Sequence, residues 1–254
     1  TEQVPLAGYG ARKGANFEGV DDTIFVKAVV FDNEITKAAY VSMDLLIVPP
    51  NLDHEKILDQ LSFEVDNLYL TASHTHSSIG GYLEGLAGKI FGGEYSENIL
   101  EFITNKTILA LEEAYYNKEK SKIGYGRIYA SNFVTNRLVG DSIGTYDPFI
   151  RLIKINTESG KNAAIFSYAA HATCYGHKQR DLSGDYPGTL TSMLEMTREI
   201  DFAVYGAGAV GSMSPRTKSV EGEKRVKEIS YGLFEKIYEG FRIMGAKYET
   251  KLIL

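Results

Sequence analysis

Four of the five histidines fall in two close groups, His74 with His76 and His171 with His177, and only His54 stands apart. A neutral imidazole can bind a metal or carry a proton near neutral pH. At the end of an extended strand, residues two apart point to the same side, so His74 and His76 can face one cavity. An isolated His-x-His pair serves equally well as a hydrogen-bonded structural pair. Its position in the chain tips the balance, because three apolar runs each end in small polar residues. One run ends in His74-Thr75-His76-Ser77, the next in His171-Ala172-Thr173-Cys174, and the third in Gly206, Gly208, Gly211, Ser212 and Ser214. Ligands of α/β sheets bind beyond the carboxyl ends of strands, so such endings can assemble into one site.

The chemistry this site would support is metal binding or proton transfer. Zinc takes imidazole and carboxylate ligands in near-tetrahedral array and keeps an open position when it activates water. His74 and His171 supply two ligands. Asp185, Asp44 and Glu84 are the carboxylates available nearby, although each fits equally as a cap, turn or surface acid. Gly206-Ala207-Gly208 lacks the spacing and the lysine of a phosphate-cradling loop and reads as a sharp turn presenting Ser212 and Ser214, with Pro215 stiffening the exit. As turn residues alone, both serines would need no further role.

The elements that must carry these residues follow from periodicity. Val26 to Phe31 and Ala38 to Met43 read as strands joined by a turn at Asp32, Asn33 and Glu34. A short helix is expected from Leu52 to Leu61 and a strand from Leu68 to Ala72 that runs into His74. Glycines 80, 81, 85, 88, 92 and 93 mark a long irregular loop. Ser96 caps a long amphipathic helix carrying Ile99, Phe102, Ile103, Ala110 and Ala114. Strands are expected over Ile123 to Phe133, Ile150 to Ile155, Ala163 to Ala170 and Asp201 to Tyr205. Val226, Ile229, Leu233 and Ile237 mark a final helix. Strands interleaved with helices give a mixed α/β fold, with a sheet covered by helices on both faces in a single domain.

Composition sets outer limits. With 254 residues, 44% of them hydrophobic, the chain can bury a substantial core, and its net charge of −6 offers no basic stripe for nucleic acid. No apolar run reaches the roughly 20 residues of a membrane-spanning helix. Cys174 is the one cysteine, so no internal disulfide is available.

The ordered motifs resemble those of the neutral/alkaline non-lysosomal ceramidases. Leu6-Ala7-Gly8-Tyr9-Gly10, Val41-Ser42-Met43-Asp44-Leu45, His74-Thr75-His76-Ser77 with Gly80-Gly81-Tyr82, Asn136-Arg137, Tyr146-Asp147-Pro148, Ala170-His171, Ser183-Gly184-Asp185-Tyr186-Pro187-Gly188 and Gly211-Ser212-Met213-Ser214-Pro215 all follow the family's order. The resemblance spans nearly the whole chain. It implies residues 1–254 as a catalytic domain lacking its carboxyl-terminal portion, with Zn2+ bound by His74 and His171. It also implies that His76 and Arg137 face the substrate or assist proton movement, and that Ser214 stands where a serine nucleophile is proposed. A glutamate and a tyrosine that complete the family's zinc shell come from sequence beyond Leu254.

The implied reaction is zinc-dependent hydrolysis of an N-acyl amide, ceramide or a related lipid-like or small-molecule substrate. Ser78-Ile79 in place of Gly-Pro, together with Ser212 and Arg216 in place of an acidic residue and asparagine, bears on the identity of that amide. Alternatives on the same fold are a catalytically weak lipid- or glycan-binding module and a metal-dependent esterase or deacetylase. Family habit and a chain beginning at Thr1 imply a secreted or periplasmic location.

Overall fold

The computed structural model describes residues 4–247. After the two-residue β1 (Gly19–Val20), the expected hairpin forms as β2 (Val26–Asp32) and β3 (Lys37–Met43). Its turn is held by side chains, since Asp32 accepts from Glu34 N at 2.8 Å and Asn33 accepts from Ile35 N at 3.1 Å and Thr36 N at 2.7 Å. Glu34 takes φ 70 there. Helix α1 (His54–Asp59), capped by Asp53, leads into β4 (Asn67–Ala72), which joins β3 in parallel. Two helices follow, α2 (Gly85–Gly92) and α3 (Glu97–Tyr116).

The second half opens with β5 (Ser121–Tyr129), β6 (Val134–Asn136), β7 (Phe149–Thr157) and β8 (Asn162–Tyr168). Then come β9 (Asp181–Leu182), α4 (Asp185–Glu195), β10 (Phe202–Ala207), β11 (Met213–Pro215) and α5 (Glu223–Ile243). Strands β10-β8-β7-β5 form a mixed sheet and β2-β3-β4 a second, with β1-β9 and β11-β6 as short pairs.

The mixed α/β architecture expected from the sequence is present, and its helix-covered faces belong to two sheets stacked on each other. Strand alternation explains the layering. Val29, Phe31 and Tyr40 of the first sheet meet Ile153, Ile155, Ile165 and Val204 of the second. The opposite faces take the helices: Ala39, Val41 and Met43 pack with Ile99, Ile103 and Leu111 of α3. Leu152, Phe166 and Tyr205 pack with Leu190 of α4 and Ile229, Leu233 and Ile237 of α5.

Four local expectations change. The glycine-rich stretch contains α2, and β5 ends at Tyr129, with a single tight turn at Ser131–Phe133 before β6. Helix α4 has no counterpart in the expected order, because it is buried around most of its circumference and its outward face carries no charged stripe. Ser96 occupies the N-cap of α3, but its side chain makes no capping hydrogen bond.

Gly80 illustrates how tightly the site's supporting segments pack. A Cβ there would lie 2.1 Å from Gly92 O at the end of α2, with other backbone atoms of Gly92 close behind. Gly80→Ala is therefore expected to cost about 1–3 kcal/mol, read as a lower urea midpoint at unchanged slope.

Candidate metal centre

The strand β4 ends at Ala72, two residues before the first histidine, and Ser73 N still bonds Met43 O at 2.9 Å. His74 then takes a left-handed backbone, φ 61, a strained conformation of the kind that gathers at functional sites. The strand pleat therefore does not align His74 with His76; a turn does. That turn is pinned from outside, with Thr75 Oγ1 donating to Ser183 O at 2.8 Å and Ser183 N donating to Ser77 O at 2.8 Å. His171 lies three residues past the end of β8, and His76 N donates to Ala172 O at 3.3 Å, tying the two segments together.

The three rings converge. His171 Nε2 lies 3.0 Å from His74 Nε2 and 2.9 Å from His76 Nε2. Among the described residues, these three make the one group of histidines, cysteines and acids placed to share a metal ion. The tautomers follow from their partners. His74 Nδ1 faces Leu46 O at 2.6 Å and His171 Nδ1 faces Val210 O at 3.1 Å. A carbonyl oxygen only accepts, so each Nδ1 carries the proton and each Nε2 presents a lone pair.

Two lone pairs facing each other at 3.0 Å repel, and a shared cation removes that repulsion. Ligand nitrogens about 2.0–2.1 Å from a tetrahedral zinc stand roughly 3.3–3.4 Å apart, close to the 3.0 Å between His74 and His171. The donor set therefore fits a zinc-type ion, and the Nδ1-to-carbonyl bonds are the usual outer support of such ligands. Burial holds the rings neutral. It pushes the pKa of His76 down to about 3, helped by the neighbouring His171 and His74, and that of His171 down to about 4. His74 is lowered by burial and then by the charge of Arg137.

The other residues singled out in the sequence fall into two sets. Arg137 follows β6 and is anchored on the turn after β10, its Nε and Nη2 donating to Gly211 O at 3.1 and 2.9 Å. Its charge reaches both His74 and His171. Ser214 sits in β11 opposite Thr135 of β6. Its Oγ accepts from Arg225 Nη2 at 3.3 Å, and Arg225 Nη1 donates to Thr173 O at 3.2 Å, which links the serine to the His171 segment.

His54 and His177 lie exposed, outside the cluster. The carboxylates have structural partners. Asp185 accepts from Cys174 N and Tyr175 N, Asp44 accepts from Phe25 N, and exposed Glu84 accepts from Asn51. The sequence reading placed His76 on the substrate side, and the structure brings its Nε2 to 2.9 Å from that of His171. The His-x-His spacing was the available signal.

Comparison with known proteins was decisive for the family. The model of "Neutral/alkaline non-lysosomal ceramidase, N-terminal" matches residues 1–230. The chain belongs to this family. Neutral ceramidase A of Dictyostelium discoideum is 24% identical over 242 residues, covering 84% of this chain and 34% of the relative. A ceramidase structure described as complexed with C2 superposes with a TM-score of 0.82 at 22% identity, covering 93% of this chain and 41% of that one. The crystal structure of neutral ceramidase from Pseudomonas aeruginosa gives 0.79 at 22% identity, covering 93% of this chain and 42% of that one. These likenesses establish the ceramidase fold, and the chain spans about a third of the curated relative's length and about two fifths of the solved chains. Among the described residues, no helix is long and apolar enough to cross a membrane.

Proposed function

We propose that this chain carries the metal-binding part of a zinc-dependent amidase that hydrolyses an N-acyl amide of the ceramide type. The observation that carries the reading is the meeting of three neutral imidazoles through their Nε2 atoms, two of them with lone pairs fixed by carbonyl partners. His74 and His171 would hold the ion, and His76, its Nε2 2.9 Å from that of His171, would stand beside it on the substrate side. Bound there, zinc supplies Lewis-acid polarisation of an amide carbonyl and a lowered pKa for water or an adjacent hydroxyl.

The chain's own groups take the remaining roles. Arg137 spends two N–H groups on Gly211 O and keeps Nη1 for an amide oxygen that gains negative charge under attack. Ser214 accepts a charge-assisted hydrogen bond, which favours negative charge on its oxygen and suits either direct attack or the orientation of an attacking water. A groove of about 460 Å³ lined by Leu46, Ile47, Pro50, Leu83 and Phe91 adjoins His74, whose Nδ1 partner is Leu46 itself. An apolar acyl substituent fits that lining. An extracytoplasmic location, implied by the family resemblance, belongs to the same reading.

The test is metal analysis of the purified protein, followed by chelation and zinc re-addition with N-acylsphingosine and simple N-acyl amines as substrates. One zinc per chain and activity that disappears and returns with the metal are expected. A protein that holds no zinc and releases no fatty acid from either substrate would remove the proposal, and retained ligand without product would favour a binding role.

A further inference from the structure

The groove beside His74 is apolar along its walls, and Glu84 is the one charged residue in its lining. The groove begins close to the chemistry, because Leu46, whose carbonyl takes the His74 Nδ1 proton, is one of its walls. The opposite side is firmly seated. A Cβ at Gly88 would fall 2.3 Å from Leu83 O, so α2 rests directly on the backbone that leads into Glu84.

The Glu84 carboxylate is exposed, and among the described residues it forms no ion pair; the nearby Lys89 is spent on Glu94. It is held in place by Asn51, whose Nδ2 donates to Glu84 Oε1 at 3.1 Å and to Tyr95 OH at 3.4 Å. A carboxylate only accepts, so the Asn51 amide must turn its nitrogen that way. Its Oδ1 is left buried without a partner, a costly arrangement that packing alone does not require. A plain hydrocarbon laid in this groove would strip water from Glu84 and return nothing for it. A chain bearing a hydrogen-bond donor would replace that water, and a cation would also answer the charge.

We propose that Glu84, oriented by Asn51, is a specificity-determining residue of this groove: it selects a substrate arm that is apolar beside the amide and carries a hydrogen-bond donor further along, ammonium ahead of hydroxyl. The inference rests on the amidase reading above and names the class of amide that the site prefers. Glu84 touches the arm of the substrate and takes no part in bond cleavage.

The test uses amides that share one leaving amine and carry acyl chains of equal length ending in methyl, hydroxyl or ammonium, over a series of lengths. At the best length, kcat/KM for the ammonium chain is expected to exceed that for the methyl chain on the order of 10-fold, with hydroxyl between. Added salt should shrink the ratio, since the groove is open to solvent. Glu84→Gln should bring the ammonium-to-methyl ratio close to one, and Asn51→Ala, which leaves the carboxylate free to swing away, should lower it by a smaller factor. Calorimetry on the protein as purified, with an alkylammonium and the alkanol of the same chain length, gives a readout independent of turnover, and the same preference is expected. A methyl chain that is favoured at every length, or a ratio that Glu84→Gln leaves unchanged, would overturn the assignment. If no amide is cleaved while the alkylammonium preference persists and disappears in Glu84→Gln, the subsite stands and the amidase reading falls.

Discussion

His171→Ala is expected to strip bound zinc from the protein and lower kcat/KM for an N-acyl amide by on the order of 10³-fold or more. His171 is the hub of the cluster, its Nε2 3.0 Å from that of His74 and 2.9 Å from that of His76. Without it, the remaining two nitrogens no longer share a common neighbour. Lewis-acid stabilisation is worth several kcal/mol in the transition state, and each 1.36 kcal/mol is tenfold in rate, which gives the expected size. The side chain is buried, and its ring Nδ1 serves Val210 O, so a modest loss of stability should accompany the change. Elemental analysis, steady-state kinetics and circular dichroism on the same preparation separate these effects. Full zinc content with unaltered turnover would remove His171 from the mechanism.

The largest stability effect is expected at Asp185, where truncation to alanine should cost about 3–5 kcal/mol. The residue is 1% exposed and opens α4 with a left-handed backbone, φ 54. Its Oδ2 accepts from Cys174 N at 2.9 Å and Tyr175 N at 3.0 Å, and its Oδ1 accepts from Tyr186 N at 2.7 Å. Removing the carboxylate leaves three buried N–H groups without an acceptor, each costing roughly 1–3 kcal/mol before relaxation. Asp185→Asn keeps the shape and one acceptor oxygen and should recover part of the loss. Urea titration of the two variants against wild type provides the measurement, and a change below about 1 kcal/mol in the alanine variant would show that other groups carry the turn.

Asp185 also marks the boundary of what the sequence made legible. As an acid near His171 it was a reasonable ligand candidate, but the approach of Cys174 N, Tyr175 N and Tyr186 N is a three-dimensional fact. The strand hairpin, the approach of β4 to His74 and the apolar stripe of α5 were readable because each follows a strict period. Helix α4 was not, because its outward positions carry Thr189, Ser192 and Met193 with no charge to mark a solvent face. The glycines of α2 concealed a helix for a different reason. Gly88 is needed where a Cβ would fall 2.3 Å from Leu83 O, so a residue chosen for close packing mimics a loop signal.

Two stacked sheets and one sheet produce the same alternation along each strand, and only the contact of Val29, Phe31 and Tyr40 with Ile153, Ile165 and Val204 distinguishes them. For the site, the family motifs pointed to His74, His76, His171, Arg137 and Ser214; the three imidazoles meet, the charge of Arg137 reaches two of them, and Ser214 lies on β11. The approach of His76 to His171 depends on the left-handed turn at His74, which no local propensity announces.

That the three rings are drawn from both halves of the sandwich has a mechanical side. His74 and His76 extend the strand that closes the first sheet, while His171 extends the second, 97 residues further along the chain than His74. Any ion they grip acts as a rivet through the seam. A covalent link closing a ring of roughly 100 residues withholds about 4.7 kcal/mol of disorder from the unfolded chain by the loop-entropy estimate, and a tight coordination bond works in the same direction. If an ion binds there, a copy without it would lack that fastening and open more readily to proteases.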